Sequence, residues 1–63
     1  MASKLGEVEG PRAAVIVTRL AGPGGVPCLE LSPAAGDRVV LTIEGAAALL
    51  PLIQAWLADY PPG

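Results

Sequence analysis

Three groups of residues in this chain are of types that carry chemistry. They are one thiol, Cys28; three acids, Glu30, Asp37 and Glu44; and three arginines, Arg12, Arg19 and Arg38. A catalytic thiol needs a base to draw off its proton, and the usual base is His. The chain has no His. Cys28 therefore reads as a small buried hydrophobe. Paired carboxylates can do general acid–base work, but nothing in the spacing of the three acids brings two together. Glu30 reads as a sheet-surface charge, Asp37 as a turn residue and Glu44 as a helix-start charge. One Cys and no His also leave no ligand set for a structural zinc. No catalytic residue, cofactor or metal is expected, and the protein is not expected to be an enzyme.

Gly22-Pro23-Gly24-Gly25 is glycine-rich. A phosphate loop needs a Lys-Ser/Thr pair and a following helix. Neither is present, so the segment reads as a hairpin turn. The arginines remain. Arg12 and Arg19 bracket one strand and Arg38 opens another, so together they would form a small basic edge for phosphates or an acidic partner. Separately they are solvated charges. Four basic against six acidic side chains give a net charge of −2, which disfavours a nucleic-acid partner.

The elements that position these groups are short. Residues 1–11 are polar and end in Gly10-Pro11, which reads as a flexible arm. Lys4–Glu9 alternates weakly and could add an edge strand. Arg12–Leu20 is rich in β-branched residues and reads as a strand. Val26–Ser32 is a second, with Pro27 marking an edge or bulge. Arg38–Leu41 is a third. Turn-rich connections of this length imply an antiparallel meander. Thr42 then caps a helix, Glu44 suits its positive end, and Pro61-Pro62 stops it after about Tyr60. Ala46, Leu49, Leu50, Ile53, Trp56, Leu57 and Tyr60 recur at helical spacing as an apolar stripe. Trp56 and Tyr60 fall on its core side. Pro51 removes a helix N–H and implies a kink or two short helices.

The fold class is α+β: an antiparallel meander of three strands, or four with the N-terminal segment, followed by one kinked helix. The domain spans residues 12–60, with 61–63 as a tail. Alternation splits the strand residues between two faces. Val15, Val17, Leu29, Leu31, Val39 and Leu41 form a first face, expected under the helix. Ala14, Ile16, Thr18, Leu20, Val26, Cys28 and Val40 form a second, with Glu30 and Arg38 flanking. A register slip of one residue would exchange the two sets.

A solvated face should alternate to polar residues. The second face holds few, so it is expected to be covered by a second copy, sheet on sheet or edge to edge, or by the N-terminal arm. Apolar residues make up 52% of the 63, and a domain this small buries only about 60% of its unfolded surface. With no disulfide available, oligomerisation is the remaining staple. Ile16, Leu20 and Val40 thus join Arg12, Arg19 and Arg38 as expected partner-binding residues.

One local run has a family likeness. Gly36-Asp37-Arg38-Val39-Val40-Leu41-Thr42-Ile43-Glu44, followed by a helix, resembles the strand-to-helix junction of the positive-cofactor-four transcriptional coactivator family. The likeness spans about a third of the chain. It implies a curved antiparallel sheet closed by one helix, dimerisation through that helix, and single-stranded DNA binding on the sheet by basic and aromatic residues. The strands here carry no aromatic residue for stacking, so only the architecture carries over.

The sequence therefore points first to a small non-enzymatic homodimer or higher homo-oligomer, an adaptor or regulator acting by protein–protein contact. By class analogy, accessory proteins of this kind include phage-encoded inhibitors. A single-stranded nucleic-acid-binding dimer is the alternative. The N-terminus lacks the apolar core of a secretory signal, and Gly45–Ala58 is too short to span a bilayer. No membrane partner is expected. With the free thiol, these features suggest a cytoplasmic protein.

Overall fold

The computed structural model describes residues 2–34 and 36–63. Among them the chain runs β1 (Ser3–Val8), β2 (Val15–Ala21), a short 3-10 turn (Pro23–Gly25), β3 (Pro27–Pro33), β4 (Val39–Leu41) and α1 (Ile43–Asp59). The strands form one antiparallel sheet in the order β1-β2-β3-β4. The architecture is β-β-β-β-α, with the N-terminal segment supplying the fourth strand. β1 lies in the plane of the sheet beside β2, so it does not fold across either face.

Local chemistry accounts for each element. The β-branched run Val15-Ile16-Val17-Thr18 fits a pleated surface and builds β2, a central strand. Gly24 and Gly25 adopt φ of 71° and 76°, a left-handed backbone that glycine enters freely. They let β2 return as β3. Pro27 is the first residue of β3, opposite Ala21. The β2–β3 register runs through it without a shift, and β4 pairs only with Leu29–Leu31, so of the edge or bulge expected at Pro27 the structure has the edge, where a proline removes no ladder bond. The register shift lies in β1 instead, between Lys4 and Gly6. Gly10 closes the β1–β2 connection tightly: a Cβ there would collide with the Ala13 carbonyl oxygen.

Register confirms the division into faces. Val15 faces Pro33, Val17 faces Leu31, and Arg19 faces Leu29. Leu29 in turn faces Leu41, and Leu31 faces Val39. These residues share the first face, as the alternation implied. Ile16–Ser32, Thr18–Glu30 and Leu20–Cys28 share the second, with Val40 beside Glu30. Ala14 and Val26 fall outside the strands.

Thr42 is the N-cap of α1, and its hydroxyl accepts a bond from the Gly45 N–H at 3.0 Å. The helix starts against the first face: a Cβ on Gly45 would lie 3.8 Å from Leu41 Cβ. Pro51 stands inside one continuous helix and does not divide it into two. Tyr60 closes the last turn by donating its N–H to the Trp56 carbonyl.

The position of the helix corrects the expectation that it covers a sheet face. Its principal contacts are with β3 and β4 only. β4 is three residues long against a helix of 17 residues. Ala46, Leu49 and Leu57 are half-buried, whereas Trp56 and Tyr60 are 60% and 62% exposed. They are not core residues of this chain. No side chain among the described residues is fully buried.

Replacing Thr42 with Ala removes the acceptor for the first helical turn and is expected to lower stability by about 1 kcal/mol. Thr42→Ser is expected to retain most of it. Denaturant unfolding of both variants at one protein concentration checks this.

Candidate interaction surface

The structure does not bring the three arginines together. Arg12 lies in the β1–β2 connection, before Val15, and Arg19 lies near the other end of β2. Seven extended residues span roughly 20 Å. Arg12 and Arg19 line two different shallow clefts. Arg12, with Gly10, Val15 and Pro33, borders one of about 170 Å³. Arg19, with Leu20 and Cys28, borders one of about 210 Å³ at the β2–β3 hairpin.

Arg38 is on the opposite face from Arg19. It donates to the Glu30 carboxylate at 3.2 Å, and Glu30 belongs to the second face through its pairing with Thr18. Glu30 is only 13% exposed while Arg38 is 71% exposed. Such a pair contributes roughly 0–1 kcal/mol. Its main effect is on the character of the surface, because it places charge in the middle of the second face.

A second ion pair reinforces that character. Lys4 and Glu7 pair on β1, and both lie on the second face, opposite Thr18 and Ile16. The hydrogen bond from Lys4, followed by its positive charge, holds the Glu7 carboxyl below the usual carboxylate range. The second face is therefore mixed: Ile16, Leu20 and Val40 sit among Lys4, Glu7, Thr18, Glu30, Ser32 and Arg38. Ile16 and Val40 are exposed and Leu20 is half-buried. Glu30 and Arg38 accompany this face as expected, and the correction to its largely apolar reading is that β1 adds Lys4 and Glu7 to it.

The first face is less charged. Arg19 is the one charged strand residue in register on the first face. Val8 and Val39 are exposed at that face's margins, and the valines and leucines between them are only half-buried. The overhanging half of α1 continues this surface with Leu50, Ile53, Trp56 and Tyr60, all exposed. The rings of Trp56 and Tyr60 lie one helical turn apart, with centroids 5.1 Å apart and planes tilted 34°. This is a favourable offset for aromatic pairs. Sequence periodicity identified the stripe but placed it in a core; the shortness of β4 was the missing signal.

Cys28 is half-buried, with Sγ 3.6 Å from the Val26 carbonyl oxygen. Glu44 sits in the first turn of α1, and Asp37 lies in the connection before β4. No helix of the described residues is long and apolar enough to cross a membrane. No family model, curated protein or solved structure matches the chain.

Lys4→Ala removes the partner of Glu7, so the Glu7 carboxyl should titrate at higher pH in the variant. The sign follows from the lowered value in the folded protein. The pairing stabilises the fold above the unfolded carboxylate range and is lost as pH falls through the folded one. A pH titration of the Glu7 side-chain carbonyl by NMR in both proteins checks the direction.

Proposed function

We propose that this protein is a small non-enzymatic binding protein, an adaptor or regulator of the cytoplasm, that works as a homo-oligomer through protein–protein contact. The observation that carries the reading is the lack of a buried core alongside extensive apolar exposure. Twelve large hydrophobic side chains are exposed among the described residues. Monomeric soluble proteins rarely leave contiguous apolar patches larger than a few hundred Å² open to water. Covering them would stabilise the fold at about 25 cal/mol per Å² before association costs. The non-enzymatic part rests on the side chains themselves: the thiol has no imidazole to activate it, and the best-buried acid, Glu30, is held by Arg38.

The separation of Arg12, Arg19 and Arg38 supports protein contact over phosphate contact. A nucleic-acid surface would need its cations on one face, and these occupy two faces and opposite strand ends.

Light scattering on the purified chain, with and without a short single-stranded oligonucleotide, tests this. The expected result is a mass that is a multiple of 6.3 kDa and indifferent to the oligonucleotide. A mass of one chain at every concentration would contradict the oligomer. A mass that rises with oligonucleotide and falls back at high salt would transfer the assignment to nucleic-acid binding.

A further inference from the structure

We infer that the copies meet through the apolar stripe of α1 and the first sheet face beside it, with a second copy of this chain as the occupant. This rests on the homo-oligomer proposed above and specifies its surface. The chain exposes 5033 Å². A compact monomer of 6.3 kDa exposes about 3,700 Å² by the size scaling of folded proteins. The surplus is about 1,300 Å² per chain.

The dimensions agree. The Cα radius of gyration is 13.0 Å and the long axis 39 Å. A compact chain of this length has a radius near 10.6 Å, and 13 Å is typical of about 100 residues. If two copies removed their surplus against each other, they would bury about 2,600 Å² in total. That lies within the range of obligate homodimers, roughly 2,000–5,000 Å².

A second copy fits this account better than an unrelated partner. It carries a surplus of equal size by construction, so one contact removes both. A two-fold interface also sets the same patch against itself, which requires a patch free of like charge. The stripe meets that requirement, because α1 carries no charge between Glu44 and Asp59, and the first face adds one charged strand residue, Arg19, near the β2–β3 hairpin and away from the β3–β4 end where the helix starts. The second face does not, since Lys4, Glu7, Glu30 and Arg38 lie on it.

Continuity locates the contact. The stripe begins half-buried at Ala46 and Leu49, on the β3–β4 end of the first face. It runs without interruption to Ile53, Trp56 and Tyr60, which are exposed. Trp and Tyr are enriched at the centres of interfaces. The second face then points outward on both copies.

The test is sedimentation equilibrium of the full chain and two variants, Ile53→Lys on the stripe and Val40→Lys on the second face. Trp56, the chain's one tryptophan, reports directly through its emission and its quenching by acrylamide. The expected wild-type mass is about 12.6 kDa, twice the 6.3 kDa of one chain. Trp56 should be blue-shifted and several-fold less quenchable than free indole. Ile53→Lys should weaken association by at least ~30-fold, the scale of a central interface residue, and Val40→Lys should leave it intact. Dissociation by Val40→Lys with Ile53→Lys still paired would overturn the surface while leaving the homo-oligomer standing. If Ile53→Lys does not fold, the wild-type quenching decides: an associated protein whose Trp56 quenches like free indole overturns the surface. A wild-type chain that is monomeric throughout overturns the oligomer and this surface together.

Discussion

Apolar area with nowhere to go inside the protomer governs this structure. A stable domain packs two layers of secondary structure around a shared core. Here one layer is a four-stranded sheet and the other is a single helix. The helix leaves β4, an edge strand of three residues, and its principal contacts stop at β3. Its principal contacts do not reach β1 or β2, and no described side chain is fully buried.

The local structure is nonetheless well specified, and that combination gives the account its shape. Thr42 caps the helix, glycines at positive φ make the β2–β3 turn, and a full register ties β2 to β3. An interior proline costs a helix roughly 3 kcal/mol, yet Pro51 is carried within a continuous α1. The chain thus has defined elements whose apolar sides face water. Hydrophobic burial is the dominant favourable term in folding, so such elements gain most of their stability from whatever covers them. A second copy, contributing the same surplus, is the partner the proposed account assigns to that role.

Much of this was legible in the residues. The β-branched run gave the position of β2, the glycine-proline turn its end, Thr42 the helix start, and period-two alternation separated the two faces correctly. The errors share one physical origin, which is that a periodic pattern says which side of an element is apolar and not what lies against it. The stripe through Trp56 and Tyr60 has the pattern of a core helix, but Leu50, Ile53 and those two rings stand exposed. The second face looked apolar because Lys4 and Glu7 were assigned to an arm. Once β1 joins the sheet, those charges stand on that face with Glu30 and Arg38. The basic edge failed for a related reason: adjacency in a list of strand ends ignored that Arg19 and Arg38 differ in face.

The functional reading has the same source. The chain offers side chains suited to contact and few suited to chemistry, and it divides them between a face with several charges and one on which Arg19 is the one charged strand residue. On the proposed arrangement the less charged surface serves self-association, and the charged face is left for other partners. The central claim is that folding and association are one process, and thermal unfolding followed across a hundredfold range of protein concentration tests it most directly. Mass action requires the midpoint to climb with concentration when the folded state is a dimer, by several degrees per tenfold for a protein of this size. A sharp, cooperative midpoint that does not move with concentration would contradict the account, because the protomer would then be stable with its apolar surface in water.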